Sequence, residues 1–502
     1  MKHTNNLFEL IKSLTKSEKR YFKMNAALQK GSKNYLKLFN EIDRQKNGYD
    51  EKRIKEKFSS EKFIKQITFT KNYLYRLIIR SLIAYNTESS VDARIIKYIN
   101  AAKIMLNKGL IKLYFKNLND ALKISSKYER FNYSLQILEL KNLYTKISSL
   151  SKGNEKISLL IQAELKKINN FHEYNAMLGR LIDLYRIRGK IRNTDVKNII
   201  SKFEKHPLLK KSSFALSYRA EENFYFIHQL LSDFKGEDEN IYKHCIERLN
   251  IITRHPEPFA DMNINYKHDV LTYALSYCAK TNNKRKFKYY IDILNSLPIK
   301  NKADEISLFF LKSLLNNSFY MAEKNWKKAM FSMPGIKSKL KEYSDNPEGD
   351  IHLLILYQLM VILVMAGKYN EALDESNNLL NHPRLKMRSD LEWYTRLINI
   401  IIHYELKNYK YFSYLLKSTY RYLDKKEKLF RVEKALLNFI KKLPESLNEE
   451  ETKCVLLLLK EDLTKIRNEP LEKNAFKYFD FVYWIDVKLK RMHHSDSFIT
   501  VK

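Results

Sequence analysis

Apolar residues recur three or four positions apart along most of this chain, the spacing of one helix face rather than the alternation of a strand. In "YDEKRIKEKFSSEKFIKQITFTKNYLYRLIIRSLIAY" (49–85) the pattern predicts a short helix after Asp50, a break at Ser59-Ser60 and a long helix to about Tyr85. Phe63, Ile67, Leu74 and Ile78 mark its apolar face, while Lys62, Lys65, Lys71, Arg76 and Arg80 fall largely elsewhere on the wheel. Upstream, "TKSEKRYF" carries Thr15 and Glu18 at capping-box spacing, and a further helix is predicted after Ser32 through "KNYLKLFNEI". From about residue 91 the pattern predicts helices of roughly 12–25 residues joined by short polar breaks, as an antiparallel stack requires. "NKG" (107–109), "SKGNE" (151–155) and "GEDEN" (236–240) are such breaks. The longest apolar run, "LLILYQLMVILVMAG" (353–367), contains Gln358 and is too short to span a bilayer, so it predicts a helix buried on several sides.

A longer period overlies the helical one. "TNNKRKF", "EKNWKKA", "AGKYNEA" and "LKNYKYF" end at Phe287, Ala329, Ala372 and Phe412, so the pattern returns every 40–43 residues. Each is a polar turn followed by a residue that starts packing a second helix, and Trp326, Tyr369 and Tyr409 stand three positions before three of the anchors. Pro298 and Pro383 fall eleven residues after two anchors, where a helix has to stop. Pro334 is expected to cut short the helix after Ala329. "GLIKLYFKNLNDALKISSKY" (109–128), with Ala121, is a candidate further copy. One hairpin cannot bury both of its apolar faces, so the recurrence predicts stacked units.

Over residues 353–383 the turn glycine Gly367, the aromatic Tyr369, the small Ala372 and the closing Pro383 resemble the tetratricopeptide repeat (TPR) family. The likeness is looser over 265–425, and Met360 and Ser376 stand where the family pattern has glycine and an aromatic. The resemblance implies an all-α, TPR-like α-solenoid in which Gly367, Tyr369, Ala372 and Pro383 hold repeats together. It also implies binding of a peptide or helix in a concave groove lined by first helices. Carried over position by position, the groove residues are Leu311, Leu314 and Met321, then Tyr357, Val361 and Met365, then Tyr394, Ile401 and Tyr404. Inter-helix core is the better account of Val361 and Ile401. The hydroxyls of Tyr357, Tyr394 and Tyr404 call for water or a partner.

Composition narrows the choice. Ten Gly and nine Pro in 502 residues, with none of the prolines before Pro207, cannot supply the turns of a sheet protein. No two glycines are closer than ten residues, which excludes glycine-rich phosphate loops and the G-x-S-x-G elbow. Cys245, Cys278 and Cys454 form no C-x-x-C pair and predict buried thiols in a reducing compartment. The start "MKHTNNLFEL" lacks the apolar stretch of a signal peptide, so a cytoplasmic protein is expected, with no membrane partner. His244-Cys245 are helix neighbours that do not face one another, and the remaining histidines, including His493-His494, make no metal pair. Neither an enzyme nor a cofactor is therefore expected.

Charge opens an alternative. Residues 1–200 hold 41 Lys and Arg against 18 Asp and Glu, a net +23 out of +34. That bias suits a polyanionic partner, although solvated lysine faces are also ordinary. Short helix, turn and long basic helix over 50–85 is the outline of a helix-turn-helix reader, with Lys62, Lys65, Lys71, Arg76 and Arg80 as its nucleic-acid contacts. Aromatic and basic residues interleave in "KNYLYRLIIR" (71–80) and "YKYFSYLLKSTYRYLDKK" (409–426), where tyrosine rings between cations can stack on bases. "NAFKYFDFVYWIDVKLK" (474–490) is expected to close the stack as its last helix. Four regions are expected: a basic helical domain (1–90), a degenerate repeat region (91–260), TPR-like repeats (261–425) and capping helices (426–502). The leading expectation is a non-enzymatic scaffold for a protein or peptide partner, the alternative a nucleic-acid-binding protein.

Overall fold

The predicted capping signals form. The Glu18 N–H donates to Thr15 Oγ1 at 3.2 Å while the Thr15 N–H donates to Glu18 Oε2 at 2.8 Å, and Asp50 accepts from the Arg53 N–H at 3.0 Å. The computed structural model describes residues 2–27, 34–45, 48–86, 90–147, 154–188, 194–260, 264–297, 299, 302–343, 349–426, 429–441, 448–469 and 472–496. Among these residues it is all-helical, with 23 α-helices and no strand. Two compact units, Met1–Leu165 and Lys166–Lys502, divide the chain. The expected borders at 90/91, 260/261 and 425/426 fall inside them.

The first unit comprises α1 (Lys2–Ser13), α2 (Lys16–Ala27), α3 (Asn34–Arg44), α4 (Glu51–Lys57), α5 (Ile67–Tyr85), α6 (Val91–Asn107), α7 (Ile111–Lys127) and α8 (Phe131–Ile147). A short 3₁₀ helix, Lys62–Gln66, leads into α5. Leu7, Ile11, Leu38, Phe39, Ile54 and Leu74 form one core of α1–α5, and Ile95, Tyr114, Leu118 and Ile137 form another of α6–α8. The unit border lies inside α9 (Asn154–Arg188), which at 35 residues exceeds the helix length expected from the pattern.

The second unit continues with α10 (Thr194–Glu204), α11 (Tyr218–Lys235), α12 (Asp238–Arg254), α13 (Ile264–Lys280), α14 (Lys284–Ser296), α15 (Lys302–Ala322) and α16 (Trp326–Glu342). It ends with α17 (Gly349–Met365), α18 (Tyr369–Leu380), α19 (Ser389–Glu405), α20 (Tyr409–Lys425), α21 (Arg431–Lys441), α22 (Glu449–Arg467) and α23 (Phe481–Asp496). Helices α13, α15, α17 and α19 pack each on the next, while α14, α16, α18 and α20 each pack on their own predecessor. α17 is buried on most sides, as its apolar run requires, and Gln358 donates to Leu314 O and Ser318 Oγ. No described helix is long and apolar enough to cross a membrane. Pro334 does not end α16: it lies exposed in mid-helix while Met333, Ile336 and Leu340 pack inward. Tertiary burial carries the helix past the missing N–H.

One turn geometry repeats through both units. Gly109, Glu129, Gly236, Asn282, Lys324, Gly367 and Lys407 all have φ between 50 and 76°, and each stands two residues before the first residue of a helix. In each turn the left-handed residue donates to the carbonyl three residues back, and its successor donates five back; Gly367 and Lys368 do so at 3.0 and 2.9 Å. These are seven Schellman caps, which satisfy the carbonyls orphaned at a helix C-terminus. The last four are spaced by 42, 43 and 40 residues, which is the sequence recurrence. The residue five after each turn is buried in all seven: Tyr114, Ser134, Ile241, Phe287, Ala329, Ala372 and Phe412. Residues 109–128 thus hold a copy of the turn, with Tyr114 at its fifth position and Ala121 buried two turns further along in the same core.

Candidate partner-binding surfaces

The positions carried over as a groove are occupied by the chain itself. Tyr357, Tyr394 and Tyr404 are buried, Leu314 is at the edge of the same core, and Met321 packs partly buried against it. What covers the three tyrosines is the segment from Glu472 through α23. Tyr478 stacks on Tyr394 with ring centroids 4.2 Å apart, its hydroxyl donates to Asp390 Oδ2 at 3.0 Å, and its carbonyl accepts from the Tyr357 hydroxyl at 3.2 Å. Trp326 Nε1 donates to the Tyr483 hydroxyl at 3.2 Å, and the Lys324 ammonium sits 3.8 Å from that ring centroid. Trp484 Nε1 donates to Glu405 Oε1 at 2.9 Å and meets Tyr404 edge-on, while Lys488 pairs with the other oxygen of Glu405. An open groove at Tyr357, Tyr394 and Tyr404 is therefore corrected: the Tyr357 hydroxyl and the rings of Tyr394 and Tyr404 find their partners in the same chain.

The covering segment also locks the turns. Asn474 Nδ2 donates to Phe234 O, and Lys477 donates to Gly236 O and Asp238 Oδ1. Arg491 donates to the Tyr369 hydroxyl at 2.8 Å and lies against Gly367, where a Cβ would come within 3.0 Å of its guanidinium. Beneath Tyr478, Arg388 holds Asp390 through two hydrogen bonds of 2.9 and 2.7 Å. Burial opposes ionisation of Asp390, yet the Arg388 guanidinium and the Tyr478 hydroxyl keep its carboxyl below the ordinary range. Ala372 is fully buried, Gly367 takes the left-handed turn at φ 76°, and Pro383 follows the end of α18. Pro298 and Tyr409, the latter for its side chain, lie outside the described residues.

The first unit presents a different kind of surface. On α5, Ile67, Leu74, Leu77 and Ile78 are buried, and the opposite stripe Phe69, Asn72, Tyr73, Arg76, Arg80 and Ile83 is exposed. Phe69 is 69% and Ile83 67% exposed, large values for such side chains. Lys62 and Lys65 are exposed on the preceding 3₁₀ helix. Lys71 is not part of this surface. It is buried and ion-paired to Glu51 at 2.6 Å. Hydrogen bonds from Lys71 and Lys55 pull the Glu51 carboxyl down to about 2. The spacing that exposes Arg76 and Arg80 turns Lys71 inward beside Thr70 and Leu74.

Chemistry is sparse elsewhere. Cys245 Sγ donates to Val270 O at 2.8 Å, and burial pushes its thiol up to about 12. Burial, and then the charge of His228, pulls His244 down to about 4. Cys278 is buried as expected, but Cys454 is exposed on α22. His493 and His494 lie outside the residues whose side chains are described. Among the described residues no three His, Cys, Asp or Glu gather as a metal site. No family model, no curated protein and no solved structure matches the chain.

Proposed function

We propose that this protein is a non-enzymatic, TPR-like α-solenoid scaffold that binds a protein partner, and that the partner docks on the exposed stripe of α5. The observation that carries the reading is the pairing of Phe69 and Ile83 with Arg76 and Arg80 on one helix face. Exposed aromatic and aliphatic anchors beside arginine are the composition of an interface centre, and α5 contains no carboxylate. The 40–43-residue recurrence, the shared turn geometry and the serial packing of first helices support the solenoid part of the reading. All three cysteines are free and one is exposed, which supports a reducing, cytoplasmic setting.

The test is affinity capture of the tagged full chain from nuclease-treated native lysate, with bound proteins read by mass spectrometry. Phe69→Ser with Ile83→Ser is expected to remove a discrete partner that the wild type retains. An unchanged protein set overturns the assignment of α5. The alternative, nucleic acid on the same helix, predicts instead that the material lost on nuclease treatment depends on Lys62, Lys65, Arg76 and Arg80. Phe69 and Ile83 favour protein, because aliphatic and aromatic anchors that far exposed bury area against a protein core and add little to phosphate contact.

A further inference from the structure

α20 is seated firmly by one face and leaves the other to solvent. Phe412, Thr419 and Leu423 are buried, and Tyr422 carries the Arg396 guanidinium 4.3 Å from its ring centroid. The tyrosines that serve the fold on this helix and its neighbour α19 are thus packed against cations or rings. Tyr411 and Tyr414 are not: they are 65% and 72% exposed, and neither meets another ring or a cation among the described residues. They stand three residues apart, so their rings share one face of the helix. The same stripe continues by steps of four, three and four through Ser418 to Arg421 and Lys425, with Lys417 alongside. Lys417, Arg421 and Lys425 are exposed and form no ion pair among the described residues. The helix has one carboxylate, Asp424, at the edge of the stripe.

We infer that this face of α20 binds single-stranded nucleic acid, with Tyr411 and Tyr414 stacking on unpaired bases and Lys417, Arg421 and Lys425 taking the adjacent phosphates. Two rings side by side on a rigid helix offer π-faces on which unpaired bases can stack and bases held in a duplex cannot. Cations one and two turns further along match the backbone that such bases bring with them. The stripe holds no aliphatic anchor, which sets it apart from α5 and from an ordinary protein interface. The inference is independent of the reading placed on α5.

Fluorescence anisotropy of the full chain with a labelled single strand of about 15 nucleotides tests it at low and moderate salt. Tyr411→Ala with Tyr414→Ala keeps the net charge of the chain, so the basic N-terminal region contributes equally to both proteins. The double variant is expected to bind about tenfold weaker per ring lost, with circular dichroism and thermal midpoint unchanged. Lys417→Gln with Arg421→Gln is expected to flatten the slope of log affinity on log salt by about 1.4, two phosphates at about 0.7 each. Three results overturn the inference: no binding by the wild type at about 50 mM salt, equal affinity of the tyrosine variant, or equal affinity for a duplex or a base-free polyanion. The last two outcomes assign the surface to charge alone, as for an acidic protein.

Discussion

Gly236 and Gly109 occupy the same backbone position in two copies of one turn, with φ of 72 and 73°, yet they face different surroundings. A Cβ at Gly109 meets nothing within 4 Å, whereas at Gly236 it would lie 2.6 Å from Asn474 Oδ1. Gly109→Ala should cost only the left-handed backbone penalty, about 1–2 kcal/mol. Gly236→Ala should cost that and also displace Asn474, a buried residue, so its denaturant midpoint is expected to fall clearly further. Equal midpoints would show that the contact at Asn474 carries no energy. Glu129, Lys324 and Lys407 accept the same conformation without glycine, so the cap hydrogen bonds and burial of the fifth residue after the turn outweigh the strain. His244 gives a second residue-scale prediction. Its folded value is about 4 because burial and the His228 ring, 5.4 Å away, oppose a positive charge, against about 6.5 in the unfolded chain. Between these values the unfolded chain takes up a proton that the folded chain refuses, so stability falls as the pH drops from 6.5 towards 4. His244→Gln should lose less thermal midpoint between pH 7 and pH 5 than the wild type does; parallel curves would exclude the group.

At the scale of elements, helix existence and type were readable from periodicity, and the places where reading failed have physical causes. Pro334 is the clearest. Local chemistry says stop, but Met333, Ile336 and Leu340 gain more by burial than one lost hydrogen bond costs. Pro334→Ala, at an exposed position, should therefore stabilise the protein by about 1–3 kcal/mol, read from the denaturant midpoint. A neutral or destabilising result would show that α16 is bent to suit the proline. Three of the seven turns, at Gly109, Glu129 and Gly236, lie outside the 40–43-residue recurrence, although 107–109 and 236–240 read as breaks and 109–128 as a candidate copy. Their buried partners Tyr114, Ser134 and Ile241 differ too much in type to be aligned with the anchors at 287, 329, 372 and 412. A turn glycine five residues before a helical stripe, Tyr114, Leu118 and Ala121 or Ile241, Cys245 and Ile252, was the available signal at Gly109 and Gly236. The same limit applies to α5: its exposed face follows from the wheel, but Lys71 reads as surface until Glu51 is seen to hold it.

At the scale of the whole chain, the candidate groove was half legible. Helical spacing and the resemblance singled out Tyr357, Tyr394 and Tyr404 as residues needing a partner, and they do have one. That the partner is residues 472–492 could not be read, because the pairings span 79–157 positions and have no local signature. Residues 474–490, expected as the last helix of a stack, reach much further within the second unit, to Gly236, Trp326, Tyr357, Tyr369, Asp390 and Glu405 as well as the neighbouring α22. Phe479, Phe481, Trp484 and Ile485 are buried in the largest core, each worth roughly 1.5–3 kcal/mol of apolar burial. Removing the segment, Tyr478 included, would strip the Tyr357 hydroxyl of its acceptor, uncover the ring of Tyr394 and leave Asp390 without the Tyr478 hydroxyl. The segment is therefore closure of the core rather than a removable tail. A chain ending at Glu469 should show a thermal midpoint lower by well over 10 °C, since several kcal/mol are lost at about 2–4 °C each. It should also bind the dye ANS, the mark of exposed apolar surface. A synthetic peptide of residues 470–496 added in trans should suppress the dye signal and restore part of the midpoint. Tyr478→Phe isolates one bond of the set and should cost about 1–3 kcal/mol, because it strips a donor from a buried carboxylate. If the truncated chain melts like the wild type and stays dye-free, the segment does not close the core, and the tyrosine face beneath it becomes the binding groove after all.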